Sequence, residues 1–200
     1  MKKLMLLAAF TLALISCKKD PADAKPDTDS IVNDSVANAS TAAQPAVAFD
    51  AKAIPQAKAD IGKFPYFAAP DATEYINGGG ELKPADKVLV PLNNSMVPVE
   101  GPAFRAIVHS KKEDDWSQEM VKKSYADRIV AAGGVKLSDG RVPQPEIDRV
   151  KDQVGSTMDY WNEPVQVYAL KKADGTIVFV QICTNTAAGG IIVTETKEFK

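Results

Sequence analysis

The sequence contains one histidine and two cysteines among its 200 residues. Because His109 is the only histidine, zinc sites built from two or three histidines are excluded. A nucleophile that relies on an imidazole base would have to use His109, with Cys183 as the cysteine partner. His109 is expected at the end of a strand beside two lysines, where a solvated side chain is the simpler interpretation. We therefore expect no metal, no cofactor and no catalytic histidine.

Cys183 lies in an apolar run, residues 176–184, which predicts a strand. A buried cysteine behaves as a small hydrophobic residue. A reactive thiol needs a helix N-terminus or a basic neighbour to lower its pKa, and the sequence around Cys183 offers neither. We expect this cysteine to be structural.

The chain also lacks an excess of positive charge. Lysine and arginine total 24 against 26 aspartate and glutamate residues, which gives a net charge of −2 and a pI near 5.5. Nucleic-acid binding usually shows as a strongly basic face, so no nucleic-acid partner is expected. Hydrophobic residues make up 45% of the chain and charged residues 25%, and these proportions allow a globular core.

The apolar run at residues 4–15 is too short to span a bilayer as a helix. It follows two lysines and ends at Ser16 and Cys17, which is the order of parts in an export signal. Leu-Ile-Ser-Cys resembles the lipobox of bacterial lipoproteins. The resemblance implies that residues 1–16 are a signal peptide and that the acylated Cys17 becomes the new N-terminus. The alternative is an ordinary signal peptide with a chance cysteine nearby.

Residues 17–53 are rich in Ala, Asp, Ser and Thr and contain few large apolar side chains. Such a segment cannot bury enough surface to offset the entropy of ordering it. We expect a disordered tether with a root-mean-square span of about 30 Å. Lys18 after Cys17 resembles the outer-membrane form of the enterobacterial sorting signal, and Cys-Lys-Lys-Asp resembles the start of lipoproteins from the Bacteroidetes group. The domain would then face either the periplasm or the cell surface.

A single α+β domain is predicted over residues 54–200. It opens with an aromatic segment, residues 60–70, in which two prolines favour an extended backbone. We interpret this segment as a strap that Phe64, Tyr66 and Phe67 anchor on the domain. The functional alternative is that these three side chains form a binding surface for a glycan or a peptide.

Two helices are predicted from apolar spacing. The first begins at Asp115, with Gln118 three residues later as in a capping box, and ends at two glycines, Gly133 and Gly134. Its apolar stripe consists of Met120, Val121, Tyr125, Ile129 and Ala132. The second, shorter helix has Pro145 in its first turn and continues to about Val154.

Seven short runs predict strands: residues 87–92, 96–100, 103–110, 135–137, 165–170, 176–184 and 190–197. The last three form a meander whose first turn carries Asp174 and Gly175. Residues 177–182 are apolar on both alternating faces, so their strand is expected at the centre of a sheet. The predicted fold class is α+β, with two helices packed on a mostly antiparallel sheet.

The order of four motifs resembles a module that precedes the OmpA-like peptidoglycan-binding domain in some Gram-negative envelope lipoproteins. The motifs begin at Asp60 (Asp-Ile-Gly-Lys-Phe-Pro-Tyr), Val99 (Val-Glu-Gly), Ala132 (Ala-Gly-Gly-Val) and Tyr168 (Tyr-Ala-Leu-Lys-Lys-Ala-Asp-Gly). The resemblance covers about residues 54–200. Since the sequence ends at Lys200, we expect no OmpA-like domain and no peptidoglycan anchoring here. The family implies no catalytic residues.

The leading functional hypothesis is a non-enzymatic cell-envelope lipoprotein that meets the membrane through its lipid and binds an envelope protein or a glycan. The alternative is a small envelope hydrolase that uses acidic residues. Its candidates are Glu113, Asp114 and Asp115, or Glu146 and Asp148. Charged runs at helix starts are more often solvated caps, so the binding hypothesis takes precedence. A purely structural spacer is a third interpretation.

Overall fold

The computed structural model describes residues 50–76, 79–112 and 115–199. The predicted signal peptide, Cys17 and most of the predicted tether lie outside these residues. A 3₁₀ turn, Ala51–Ala53, is followed by seven strands and two helices within the described residues. The strands are β1 (Thr73–Tyr75), β2 (Glu81–Leu92), β3 (Ser95–Ser110), β4 (Val135–Gly140), β5 (Val165–Lys171), β6 (Ile177–Thr184) and β7 (Gly189–Thr196). The helices are α1 (Gln118–Ala131) and α2 (Gln144–Val150).

The strands form one open sheet in the order β1-β3-β7-β6-β5-β4, and β2 also pairs with β3. Every strand pair is antiparallel, and an isolated bridge between Gln56 and Lys171 is parallel. Strands β1 and β2 follow each other along one edge of β3, because β7 occupies the opposite edge. The α+β prediction, the mostly antiparallel sheet and the C-terminal meander β5-β6-β7 are confirmed.

Both faces of the sheet are buried at its centre. Every residue of β6 is buried. Phe179 and Cys183 point into one hydrophobic cluster, and Val180 and Ile182 point into the other. The predicted central position of this strand is therefore correct, and its continuous apolar sequence reflects burial on two sides.

The sheet is large for two helices to cover. Helix α1 lies against β6, and α2 lies against β3 on the other face. Strand β2 also contacts β4 and β5, so the sheet curls over part of its own core. A hydrogen bond of 3.0 Å from the Ser138 hydroxyl to the Pro91 carbonyl joins β4 to β2 across this curl.

Helix α1 begins later than predicted. Ser117, not Asp115, is the N-cap, and its hydroxyl accepts a bond from the Met120 amide at 3.3 Å. Asp115 therefore precedes the helix, next to Trp116, whose indole donates to the Asn185 carbonyl of the β6–β7 turn at 2.9 Å. The apolar stripe is confirmed, since Val121, Tyr125 and Ile129 are buried and Met120 and Ala132 pack beside them.

Helix α2 is shorter than predicted. It ends at Val150, and Gln153 continues as a turn by donating to the Val150 carbonyl at 2.8 Å. Pro145 lies in the first turn, as expected. Val154 has left the helix but still packs against the hydrophobic core. The apolar spacing therefore predicts the core contact of Val154 correctly but overestimates the length of the helix.

The first half of the sheet is a single long hairpin of β2 and β3. The three runs at residues 87–92, 96–100 and 103–110 were predicted as separate strands, but the last two belong to one continuous strand, β3. Asn93 and Asn94 form the tight turn, with φ angles of 49° and 66°. Pro98 is tolerated within β3 because β7 pairs with β3 only from Ala103 onward. No amide at position 98 therefore has to donate a hydrogen bond to β7.

Candidate functional site

The chain enters the domain between β5 and α1. Ile54 is buried, the Ala57 amide donates to the Lys171 carbonyl at 2.7 Å, and the Lys58 amide donates to the Ala132 carbonyl at 2.9 Å. These bonds fix the start of the strap, residues 60–70. The strap then crosses the sheet face that α1 also covers, since its aromatic side chains join the same hydrophobic cluster.

The three aromatic residues predicted in the strap lie together. The ring centroids of Phe64 and Tyr66 are 5.5 Å apart, and those of Tyr66 and Phe67 are 6.4 Å apart. Phe67 is buried, whereas Phe64 and Tyr66 are partly buried beside it. The peptide bond between Phe64 and Pro65 is cis. Phe67 therefore anchors the strap, and Tyr66 is placed at its surface.

Tyr66 has an unusual backbone and a polar side-chain network. Its φ of 68° lies in the left-handed region, which is rare for a bulky residue. The phenol donates to the Glu195 carboxylate and accepts a bond of 3.1 Å from the Lys172 ammonium. Lys172 and Glu195 also form an ion pair at 3.7 Å. The phenol is thus held by one residue next to β5 and another in β7.

The electrostatics keep this network in one protonation state. Burial raises the pKa of the Tyr66 phenol, and the hydrogen bond to Glu195 raises it further. The hydrogen bond to Tyr66 raises the pKa of the Lys172 ammonium. The tyrosine therefore remains a donor and the lysine remains a cation at neutral pH.

Beside Tyr66 the surface forms a cleft of about 310 Å³, which we call the aromatic cleft. Its walls are Lys63, Pro65, Tyr66, Ala68, Tyr75, Gly79 and Phe104. The rings of Tyr75 and Phe104 meet edge to face at 5.3 Å, and the Tyr75 phenol donates to the Phe67 carbonyl at 3.1 Å. Leu82, the partner of Phe104 in the β2–β3 register, is 58% exposed. The apolar surface therefore continues from the cleft onto β2.

Lys63 is the charged residue in the wall of the aromatic cleft, and no carboxylate lines it. The Lys63 side chain is exposed and makes no ion pair or hydrogen bond with residues that the structure describes. The cleft is therefore an aromatic surface with one unneutralised positive charge at its side.

The acidic residues of the hydrolase hypothesis that the structure describes have separate surroundings. Glu146 is partly buried and accepts bonds from the Met96 amide at 2.6 Å and from Arg149 at 2.5 Å. The Arg149 bond lowers the pKa of Glu146, whereas a general acid needs a pKa raised toward neutrality. Asp148 is exposed and accepts from Gln144 on the same helix. Asp115 precedes α1, and Glu113 and Asp114 lie outside the described residues.

His109 and Cys183 contact different residues and do not form a pair. His109 pairs with Glu74 of β1, with 3.3 Å between Nε2 and Oε1. Cys183 is buried, and burial raises the pKa of its thiol to about 11. Its sulfur lies 3.9 Å from the Asp159 carbonyl oxygen. A pKa this high opposes thiolate formation near neutral pH, in agreement with the structural role expected for Cys183.

The described residues contain no group of three or more histidine, cysteine, aspartate or glutamate side chains arranged to hold a metal ion. No helix within them has the length and apolarity to cross a membrane.

Sequence reasoning missed most of the residues that surround Tyr66. Lys172, Glu195, Tyr75 and Phe104 come from distant segments and carry no shared motif. It also missed a buried polar contact on the other face, where the Tyr160 phenol donates to Gln181 at 2.8 Å and Gln181 donates to the Leu89 carbonyl at 3.1 Å. These two bonds satisfy the buried polar atoms of Tyr160 and Gln181, so we assign the pair a structural role in the core.

Comparison of the chain with family models, with curated proteins and with solved structures returns no match.

Proposed function

We propose that this chain is a lipid-anchored, non-enzymatic binding protein of the bacterial outer membrane. Cys17 carries the lipid, the residues between Cys17 and the 3₁₀ turn Ala51–Ala53 act as a tether, and the aromatic cleft receives a segment of another envelope component, either a protein or a glycan. The anchoring part of the proposal is supported by the export signal and the lipobox-like Leu-Ile-Ser-Cys. The resemblance to an envelope-lipoprotein module points to the same compartment.

The observation that carries the binding part is the state of Tyr66 at the wall of the cleft. A bulky residue in the left-handed region costs free energy, and such residues cluster at functional sites. Here two charged residues hold the phenol, so the ring is kept beside Tyr75 and Phe104. Aromatic walls with preset positions suit recognition, because little side-chain entropy is lost when a partner binds.

Binding is favoured over catalysis because two of the candidate catalytic groups, Glu146 and Cys183, are held in states that do not suit catalysis. Glu146 is held ionised by Arg149, and the Cys183 thiol is buried. The hydrolase alternative needs a nucleophile or a general acid near its working pKa. No observation on the described residues favours one.

Anchoring is tested by metabolic labelling with a palmitate analogue in cells that express the full-length chain. Cys17→Ala should abolish the label and move the protein out of the outer-membrane fraction. Cys183→Ala is the matched control, and it should retain both the label and the location. Equal labelling of the two variants would contradict lipidation at Cys17.

Binding at the cleft is tested by photo-crosslinking in cells. A photoreactive benzoylphenylalanine replaces Ala68, which is exposed in the cleft wall, or Ala53, which is exposed in the 3₁₀ turn and does not line the cleft. A discrete product should form at position 68 and not at position 53, and mass spectrometry should identify a protein or a glycan. Indistinguishable products at both positions would remove the cleft as the binding site.

A further inference from the structure

The polar atoms of the aromatic cleft are largely used within the protein. The Tyr66 phenol is held by Glu195 and Lys172, and the Tyr75 phenol donates to the Phe67 carbonyl. The Lys172 ammonium lies over the Tyr66 ring at 5.4 Å from its centroid, and the Tyr75 ring packs on Phe104. The parts of the two tyrosine rings that line the cleft are what they present to a ligand. A sugar ring would stack on such surfaces, but its hydroxyls need polar partners, and these walls supply few.

A free strand edge lies next to the cleft. Strand β2 pairs with β3, and no strand among the described residues pairs with its outer edge. Leu82 begins this edge beside Phe104 and is exposed. Unpaired main-chain groups at an edge can bond to an extended peptide, while side-chain pockets select its sequence. Pro84 limits such pairing to the start of β2, because proline has no amide donor.

The charge of the cleft indicates which peptide fits. Lys63 is the charged side chain in its wall, no carboxylate lines it, and no described carboxylate pairs with Lys63. An apolar group entering between Tyr66, Tyr75 and Phe104 would therefore be complemented by a negative charge beside it. Electrostatic complementarity of this kind provides specificity more than affinity.

We infer that the aromatic cleft recognises an extended peptide that presents an apolar side chain next to a carboxylate, and that Lys63 determines this specificity. The inference rests on the proposed binding function and names the class of its partner. The apolar side chain contacts the rings, the carboxylate faces the Lys63 ammonium, and the peptide backbone follows the start of β2.

The experiment is a methyl NMR titration of the full-length chain in lipid nanodiscs, with the Ala68 methyl group as the reporter. The probes are the capped peptide Gly-Leu-Asp-Gly, its Asp-to-Asn and Leu-to-Ser analogues, and the trisaccharide of N-acetylglucosamine. The acidic peptide should shift the Ala68 signal. The Asn analogue should bind about threefold to fivefold more weakly, as for the loss of a partly exposed ion pair, and the Ser analogue should produce no saturable shift.

Lys63→Gln should make the Asp and Asn peptides bind equally. Lys63→Arg, which keeps the positive charge, should retain the preference for Asp. Lys58→Gln is the matched control, because Lys58 is exposed just before the strap and does not line the cleft. Equal binding of the Asp and Asn peptides to the unmodified chain would overturn the inference. A response to the trisaccharide alone would also overturn it, in favour of a glycan partner.

The two proposals fail separately. A crosslink that depends on position 68, together with no preference for the acidic peptide, would leave the cleft as a binding site and reject the peptide class. The absence of both the crosslink and any titration response would reject the binding function as well.

Discussion

The Tyr66 phenol donates a hydrogen bond to the carboxylate of Glu195, which lies 129 positions further along the chain. The bond joins the strap to β7, and Lys172 completes the network from the end of β5. The strap has no strand or helix of its own. A backbone bond of 2.8 Å from the Tyr66 amide to the Lys63 carbonyl shapes the turn at Tyr66, and the side-chain bonds to Glu195 and Lys172 tie that turn to the assembled sheet.

Tyr66→Phe should lower the free energy of unfolding by about 1–3 kcal/mol, because the largely buried Glu195 loses a donor. Urea denaturation measures the change. Tyr168→Phe is the matched control, since its phenol has a longer bond of 3.3 Å to Gln166, and it should cost less than about 1 kcal/mol. Equal losses for the two variants would show that the Glu195 bond adds nothing to stability.

Gly190→Ala should destabilise the fold by about 3 kcal/mol or more, since overpacking at a rigid site is costly. A Cβ atom at Gly190 would lie 1.9 Å from the Thr157 carbonyl oxygen, and this backbone atom has little freedom to move. Gly140→Ala, with nothing within 4 Å of the added Cβ atom, should be tolerated. Thermal unfolding followed by circular dichroism compares them, and a similar melting temperature for both would contradict the packing at Gly190.

Glu146→Gln should weaken the dependence of stability on acid. The pKa of Glu146 is lowered from 4.5 by its bond to Arg149. Its ionised form therefore stabilises the fold above pH 4.5, and this contribution is lost as the pH falls through the lowered pKa. Urea unfolding over this acid range should show a shallower decline for Glu146→Gln.

Asp148→Asn is the control for this prediction, because Asp148 is exposed on the same helix. It should leave the slope of stability against pH unchanged. If the unmodified chain and Glu146→Gln had the same slope of stability against pH, the bond between Glu146 and Arg149 would not contribute to acid sensitivity. A hydrolytic turnover that Glu146→Gln abolished would instead revive the enzyme hypothesis.

Cys183 should make the fold less stable in alkali. Burial raises the pKa of its thiol from 9.0 to about 11. The protonated thiol therefore contributes stability in full below pH 9.0, and this contribution is lost as the pH rises toward about 11. Cys183→Ala should show a smaller loss of stability over this range by urea unfolding. Parallel curves for the two proteins would show that the thiol does not couple to folding.

The sequence predicts secondary structure correctly where the residues of one short segment determine it. The stripe of Val121, Tyr125 and Ile129 follows from helical spacing, and the hairpin at Asp174 and Gly175 follows from turn chemistry. The predicted start of α1 was wrong because Asp115 and Ser117 are both N-cap residue types, and the folded chain uses the Ser117 hydroxyl, which accepts from the Met120 amide. The sequence predicts two strands within β3 because Gly101 and Pro102 interrupt its apolar residues, and the pairing that carries the strand through them is long-range.

The candidate site was predicted only in part. The cluster of aromatic residues drew attention to Phe64, Tyr66 and Phe67, but it could not distinguish the buried Phe67 from Tyr66 in the cleft wall. Lys63 belongs to the same segment, but nothing in the sequence distinguishes it from an ordinary solvated lysine in a loop. Its significance depends on which charges are absent from the surrounding walls.

The sequence alone determined the class of the domain, its central strand and its helical stripe, because periodicity and turn residues act over a few positions. It also carries the whole basis for the proposed lipid anchor at Cys17, since an export signal is a local pattern. The tertiary structure decided the sheet order, the continuity of β3 and the aromatic cleft. Those features require Tyr66, Phe104 and Glu195 to meet, and only long-range pairing of the strands brings them together.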